Sequence, residues 1–193
     1  MVLARPSRTD APLIERARVG DRAAFEELVR RHADRLYAVV LRFLGDRQEA
    51  EEVTQEAFLR AWRGIDRFAG QSEFFTWLYR IGINEAKRRA ERRSPTEQSI
   101  SLDEQPTAAP TDRRDEPQRR AEQRDLRLAL ERAVRALPPK YRAALILRDI
   151  EGLSTRQAAE IMELRESAFK SRLHRARLAV REAMEHHLGQ EDT

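Results

Sequence analysis

The 26 residues from Gly152 to Arg177, GLSTRQAAEIMELRESAFKSRLHRAR, leave little choice of local structure. They read as two short helices joined by a tight turn, the second strongly basic. Ser154 and Gln157 have the S-x-x-Q spacing of a capping box, in which each side chain satisfies a free backbone N–H at a helix start. Ala158, Ala159, Ile161 and Met162 give the first helix a compact apolar face. Ala168, Phe169 and Leu173 are expected to point inward from the second, leaving Lys170, Arg172, His174, Arg175 and Arg177 largely outward. A small-residue helix crossed by a basic one is the helix-turn-helix arrangement, whose second helix fits the major groove of DNA.

Composition bounds the rest. At 193 residues the chain holds one domain or two small ones. A formal charge of +4 is a weak argument for nucleic acid, but the basic residues are clustered. There is no cysteine, which excludes disulfides and thiolate metal sites and fits a reducing, cytoplasmic setting. The N-terminus is polar and no apolar run approaches the ~18 residues of a membrane span.

Hydrophobic periodicity predicts an all-α chain of two small helical domains. Residues 1–11 are expected to be disordered. From Asp21, a good N-cap, to Leu44, the positions Phe25, Leu28, Val29, Leu36, Val39, Val40 and Phe43 recur at three and four. Gly45 stops that helix and Asp46 caps the next, expected to run to Phe68 on Val53, Phe58, Leu59 and Trp62. A third spans Glu73 to Arg92 and ends in KRRAERR. Residues 94–117 hold four of the eight prolines and no apolar period, and read as a flexible linker between a domain at 12–93 and one at 118–185. In the second domain Leu126, Leu130, Val134 and Leu137 are in helical register, and Pro138-Pro139 separates that helix from KYRAALILRDIEG. Residues 186–193 are read as a tail, with no further regulatory domain expected after Glu182.

Two clusters carry chemistry. Asp46, Glu49, Glu51, Glu52 and Glu56 make one helix acidic, either as a solvated face or as a docking surface for a basic partner. Phe68, Phe74, Phe75, Trp77 and Tyr79 are followed on the same helix by Arg80, Lys87, Arg88, Arg89, Arg92 and Arg93. Trp77, with Leu78 and Ile81, reads as core. Basic groups that hold phosphates beside rings that accept unstacked bases suit single-stranded nucleic acid. No nucleophile motif or phosphate-binding glycine loop occurs. His32-Ala33-Asp34 and Glu185-His186-His187 are metal-binding fragments that no second cluster completes, and His32 reads as a partly buried helix residue. No catalytic residue, metal or cofactor is expected.

Three blocks in order, DRQEAEEVTQEAFLRAWR (46–63), SEFFTWLYRIGINEAKRR (72–89) and LPPKYRAALILRDIEGLSTRQAAEIMELRESAFKSRLHRARLAVRE (137–182), resemble the extracytoplasmic-function (ECF) class of bacterial sigma factors. The resemblance covers about residues 12–184. It implies a specificity subunit that binds core RNA polymerase, recognises the −10 and −35 promoter elements with its two domains, and directs initiation. Asp46, Glu49, Glu52, Val53, Glu56 and Phe58 would then dock on the clamp-helix coiled coil of the largest polymerase subunit. Gln71, Ser72, Phe74, Arg80, Asn84, Lys87 and Arg88 would read and open the proximal element, the loop before the helix capturing a flipped base. Arg156, Lys170, Ser171, His174, Arg175 and Arg177 would contact the distal element. An anti-sigma factor is a further implied partner.

The chain departs from the family in the helix-turn-helix. Glu163 stands where glycine is common, and is expected to hold a left-handed conformation. Arg165 replaces the usual Ser or Pro, so the second helix is either capped by Ser167 or begins without a good cap. The rival readings are a helix-turn-helix regulator that is no polymerase subunit, which would need a sensor domain absent from the N-terminal block, and a helical enzyme or scaffold, which leaves the bipartite basic pattern unexplained.

Overall fold

In a computed structural model, residues 10–70, 72–92 and 117–191 are described, and every regular element among them is helical. The first helix, α1 (Ala11–Arg18), has no counterpart in the sequence reading; it buries Ile14 and Ala17. The other residues expected to be disordered, 1–9, lie outside the described residues.

α2 (Arg22–Leu44) begins and ends where its punctuation says. Extended Asp21 accepts the Ala24 N–H at 3.1 Å, a bond that holds its carboxyl below the usual carboxylate range. Gly45 closes the helix at φ +75°, the left-handed conformation that favours glycine. Asp46 caps α3 (Arg47–Gly64) by accepting the Glu49 N–H at 2.9 Å. α3 is shorter than expected. After Gly64 the chain tightens into a single 3₁₀ turn, Ile65–Arg67, which buries Ile65 and Phe68. α4 (Phe74–Arg92) completes the N-terminal bundle, with Phe75, Leu78, Tyr79 and Ile83 meeting Leu28, Leu36, Val39 and Phe43 of α2 in the core. The backbones of α2 and α4 approach closely at Gly82, where a Cβ would fall 2.8 Å from a Leu36 methyl. Each such aliphatic or aromatic side chain contributes about 1.5–3 kcal/mol when taken out of water.

α5 (Pro117–Ala136) lies along the last helix, and Pro139 opens α6 (Pro139–Leu145) at its first position. α6 runs into a π-type turn, Ile146–Ile150, closed by Glu151 N–H donating to the Ile146 carbonyl. α7 (Thr155–Ile161) starts with both arms of the Ser154–Gln157 capping box. Glu163 takes φ +55°, the only non-glycine residue with positive φ among the described residues. α8 (Glu166–Glu191) starts before Ser167, which therefore sits in its first turn rather than capping it. It runs on through most of the segment read as a tail.

The two halves touch. α7 and α6 pack on α4, and the π turn on α2, so one apolar core is continuous between them. The intervening residues 93–116, expected to be a linker, lie outside the described residues. Polar contacts frame the junction. Arg142 donates to the Phe43 carbonyl at 2.8 Å with its guanidinium over the Phe43 ring. Glu151, with a side chain only 4% exposed, meets Arg42 at 2.6 Å and Arg35 at 3.9 Å. Four residues expected to face inward do not: Leu59, Leu126 and Leu130 are about half exposed, and Ala168 is exposed.

Candidate nucleic-acid interface

The loop before α4 turns at Gly70, φ +68°, and carries half-buried Ser72 and exposed Glu73. Gln71 lies outside the described residues. Phe74 does not face solvent: it is 3% exposed, with Phe68, Trp77 and His32 rings at 6.0, 5.8 and 5.3 Å. Its aromatic neighbours hold it in the core at the end of the loop. Arg80, Asn84 and Lys87, at i, i+4 and i+7, form one half-exposed strip on α4. Arg80 lies 3.9 Å from Glu163 in the turn of the other half. Exposed Arg88 pairs with Glu85 at 3.2 Å.

On α8, Lys170, Ser171, His174, Arg175 and Arg177 are all exposed, while Phe169, Leu173 and Ala176 anchor the opposite face. They are not equivalent. Lys170 and His174 make no side-chain bond among the described residues. Arg175 reaches the Tyr141 hydroxyl at 3.4 Å, and this contact lowers the hydroxyl's pKa. Arg177 is held in a two-point pair with Asp149 of the π turn, at 2.9 and 2.6 Å. Ser171 donates to the Ser167 carbonyl. Arg156 stands exposed on α7, the first helix of the motif. The arrangement presents cations on a rigid helix whose start is fixed by a capped neighbour, a geometry suited to phosphates and base edges.

α3 divides its expected docking residues. Glu49, Glu52 and Glu56 lie on its outer side, while Val53 and Phe58 are buried, 1% and 8% exposed, and support the surface from beneath. The acids are partly neutralised from within: Glu49 and Glu52 pair with Arg89 of α4, and Glu56 with Arg60. Leu59, 51% exposed, lies one turn beyond Glu56 and Gln55 and adds an apolar centre that the sequence reading assigned to the core. Helical spacing alone placed it there; Phe58, its neighbour, took the inward position.

The chain matches the family model described as Sigma-70 region 2 over residues 28–96, and that described as Sigma-70, region 4 over residues 127–180. The RNA polymerase sigma-H factor of Pseudomonas aeruginosa is 35% identical over 182 residues, covering 91% of this chain and 94% of its own. The ECF RNA polymerase sigma-E factor of Haemophilus influenzae is 36% identical over 174 residues, covering 88% and 92%. The chain belongs to the ECF class of sigma factors. Its function is therefore that of a transcription-initiation factor of RNA polymerase, and the regulator without a polymerase is not favoured. Sigma factors are not enzymes. In fold, this sigma factor is similar to CnrH in complex with the cytosolic domain of CnrY, with a TM-score of 0.66 and 24% identity over 91% of this chain and 97% of that one. It is also similar to the sigma factor RpoE in complex with the anti-sigma factor NepR from Bartonella quintana, with a TM-score of 0.60 and 23% identity over 83% and 96%. No group of metal-ligating side chains occurs among the described residues, and no helix there is long and apolar enough to cross a membrane.

Proposed function

We propose that the two halves divide promoter recognition as follows. α3 docks on core polymerase through Glu49, Glu52, Glu56 and exposed Leu59. The loop after Phe68 and the strip Arg80–Asn84–Lys87 read and open the proximal element. Arg156 of α7 and Lys170, Ser171, His174 and Arg175 of α8 bind the distal one. The observation that carries this reading is the pair of solvent-facing basic surfaces, one in each half, each standing on a buried apolar face. Asn84 is the strongest candidate for base readout, because a carboxamide both donates and accepts and the residue is half exposed, with no side-chain bond among the described residues.

Closure of the halves bears on partners. With α7 lying on α4 and Glu163 beside Arg80, the two DNA-reading surfaces cannot span separate promoter elements in this arrangement. Opening accompanies polymerase binding, and an anti-sigma factor, the kind of partner that NepR is to the similar RpoE, would hold the halves together.

Permanganate footprinting tests the assignment. With core polymerase, Asn84→Ala is expected to change the preferred proximal base or abolish opening while core binding is kept. Normal melting and an unaltered base preference would remove Asn84 from the readout.

A further inference from the structure

We infer that His32, held by Asp10, is a positioning residue for the loop that reads the proximal element. The inference rests on the proposed role of that loop. Asp10 precedes α1 but makes no side-chain cap to it. Its carboxylate reaches instead across to α2, with Oδ2 2.8 Å from His32 Nε2 and Oδ1 accepting from Arg31 at 3.1 Å. Both Asp10 and His32 are buried, 9% and 6% exposed. The imidazole lies tilted against the Phe74 ring, centroids 5.3 Å apart, and Phe74 is the first residue of α4, directly after the loop.

The other end of the loop rests on α1. α1 packs on the 3₁₀ turn Ile65–Arg67 that delivers Phe68, and Phe68 meets Phe74 edge-on at 6.0 Å and Trp77 at 5.1 Å. Both flanks of the loop are thus set from the N-terminal side of the bundle: Phe68 through the packing of α1 on the 3₁₀ turn, Phe74 through the ring of His32 that Asp10 holds. An apolar residue at position 32 would fill the space without burying a carboxylate, which is costly unless bonded. What the pair adds is orientation, because a ring nitrogen tied to a fixed oxygen cannot turn about its Cβ–Cγ bond. Readout sites tolerate little slack, since displacements of about 1 Å cost up to about 10²-fold in function.

The test uses the full-length protein with core polymerase and a promoter library randomised through the proximal element, sequencing the transcribed templates. His32→Phe keeps the packing but cannot bond Asp10; Asp10→Ala removes the anchor. Val40→Ala, a truncation of a fully buried side chain on α2, is the control for lost stability. Expected for each of the two loop-side variants is a drop of about fivefold or more in enrichment of the preferred base, with core affinity kept and the double variant no worse than the poorer single one. Val40→Ala is expected to retain the enrichment despite its loss of Tm. Unchanged enrichment in His32→Phe and Asp10→Ala would overturn the inference, as would an equal loss in Val40→Ala, which would make the pair structural only. A wild-type protein that enriches no proximal base would instead overturn the proposed role of the loop.

Discussion

Lys170 and Arg177 sit two turns apart on one exposed helix face, yet their surroundings give them different tasks. Lys170 has no partner among the described residues, whereas Arg177 is committed to Asp149. Lys170→Ala is expected to lower the slope of log K against log salt for distal-element DNA by about one unit, the signature of one lost phosphate contact. Arg177→Ala is expected to leave that slope within error and to change stability by no more than about 1 kcal/mol, the scale of an exposed ion pair. Binding titrations at several salt concentrations read both; equal slopes for Lys170→Ala and the wild type would contradict the assignment. Ser154 is a separate matter of stability. Its hydroxyl accepts the Gln157 N–H at 3.2 Å, so Ser154→Ala is expected to cost about 1 kcal/mol in denaturant unfolding.

At the scale of elements, α3 combines an acidic rim with one exposed apolar side chain. Interface energy concentrates in apolar anchors while rim charges steer encounter. Leu59→Ala is therefore expected to weaken core polymerase binding through a faster off-rate. Charge reversal at Glu52 and Glu56 is expected to slow association and raise its salt sensitivity, with circular dichroism unchanged. Surface plasmon resonance separates the two effects; identical rate constants for both variants would take α3 out of the interface. The helices themselves were legible wherever a cap or breaker is local: Asp21, Gly45, Asp46, Pro139 and the Ser154–Gln157 box each act within one turn. Even the left-handed Glu163 could be foreseen, because it stands in the turn where glycine is common in the family. α1 was not legible, since it is held by Asp10 reaching residue 32 and by only two buried side chains. The exposure of Leu59 and the burial of Phe74 were not legible for a related reason. Which of two adjacent apolar residues turns inward, and whether a ring at a helix start is covered, depends on neighbours distant in sequence.

At the scale of the molecule, Glu151 marks the contact between the halves. Burial pushes its carboxyl above the ordinary range, against the pull of Arg42 and Arg35. A carboxyl whose pKa is raised by closure binds its proton more tightly when closed. The stabilisation of closure by that proton is full below the ordinary carboxylate range and is lost as pH rises through the raised value. The chain has no cysteine, so single dye pairs can be placed at Arg67→Cys and Arg132→Cys, both exposed. Energy transfer is expected to rise as pH falls toward the ordinary carboxylate range, and to flatten in Glu151→Gln. The same pH response in Glu151→Gln would assign it to another group.

In-vitro transcription from genomic DNA by purified core polymerase, with and without this protein, tests the central claim most directly. The account predicts discrete 5′ ends that appear only when the protein is added, preceded by two common sequence elements at fixed separation. It also predicts that Asn84→Ala alters the proximal element alone and Lys170→Ala weakens use of the distal element alone. The same start sites with and without the protein, or initiation dependent on one element only, would contradict it.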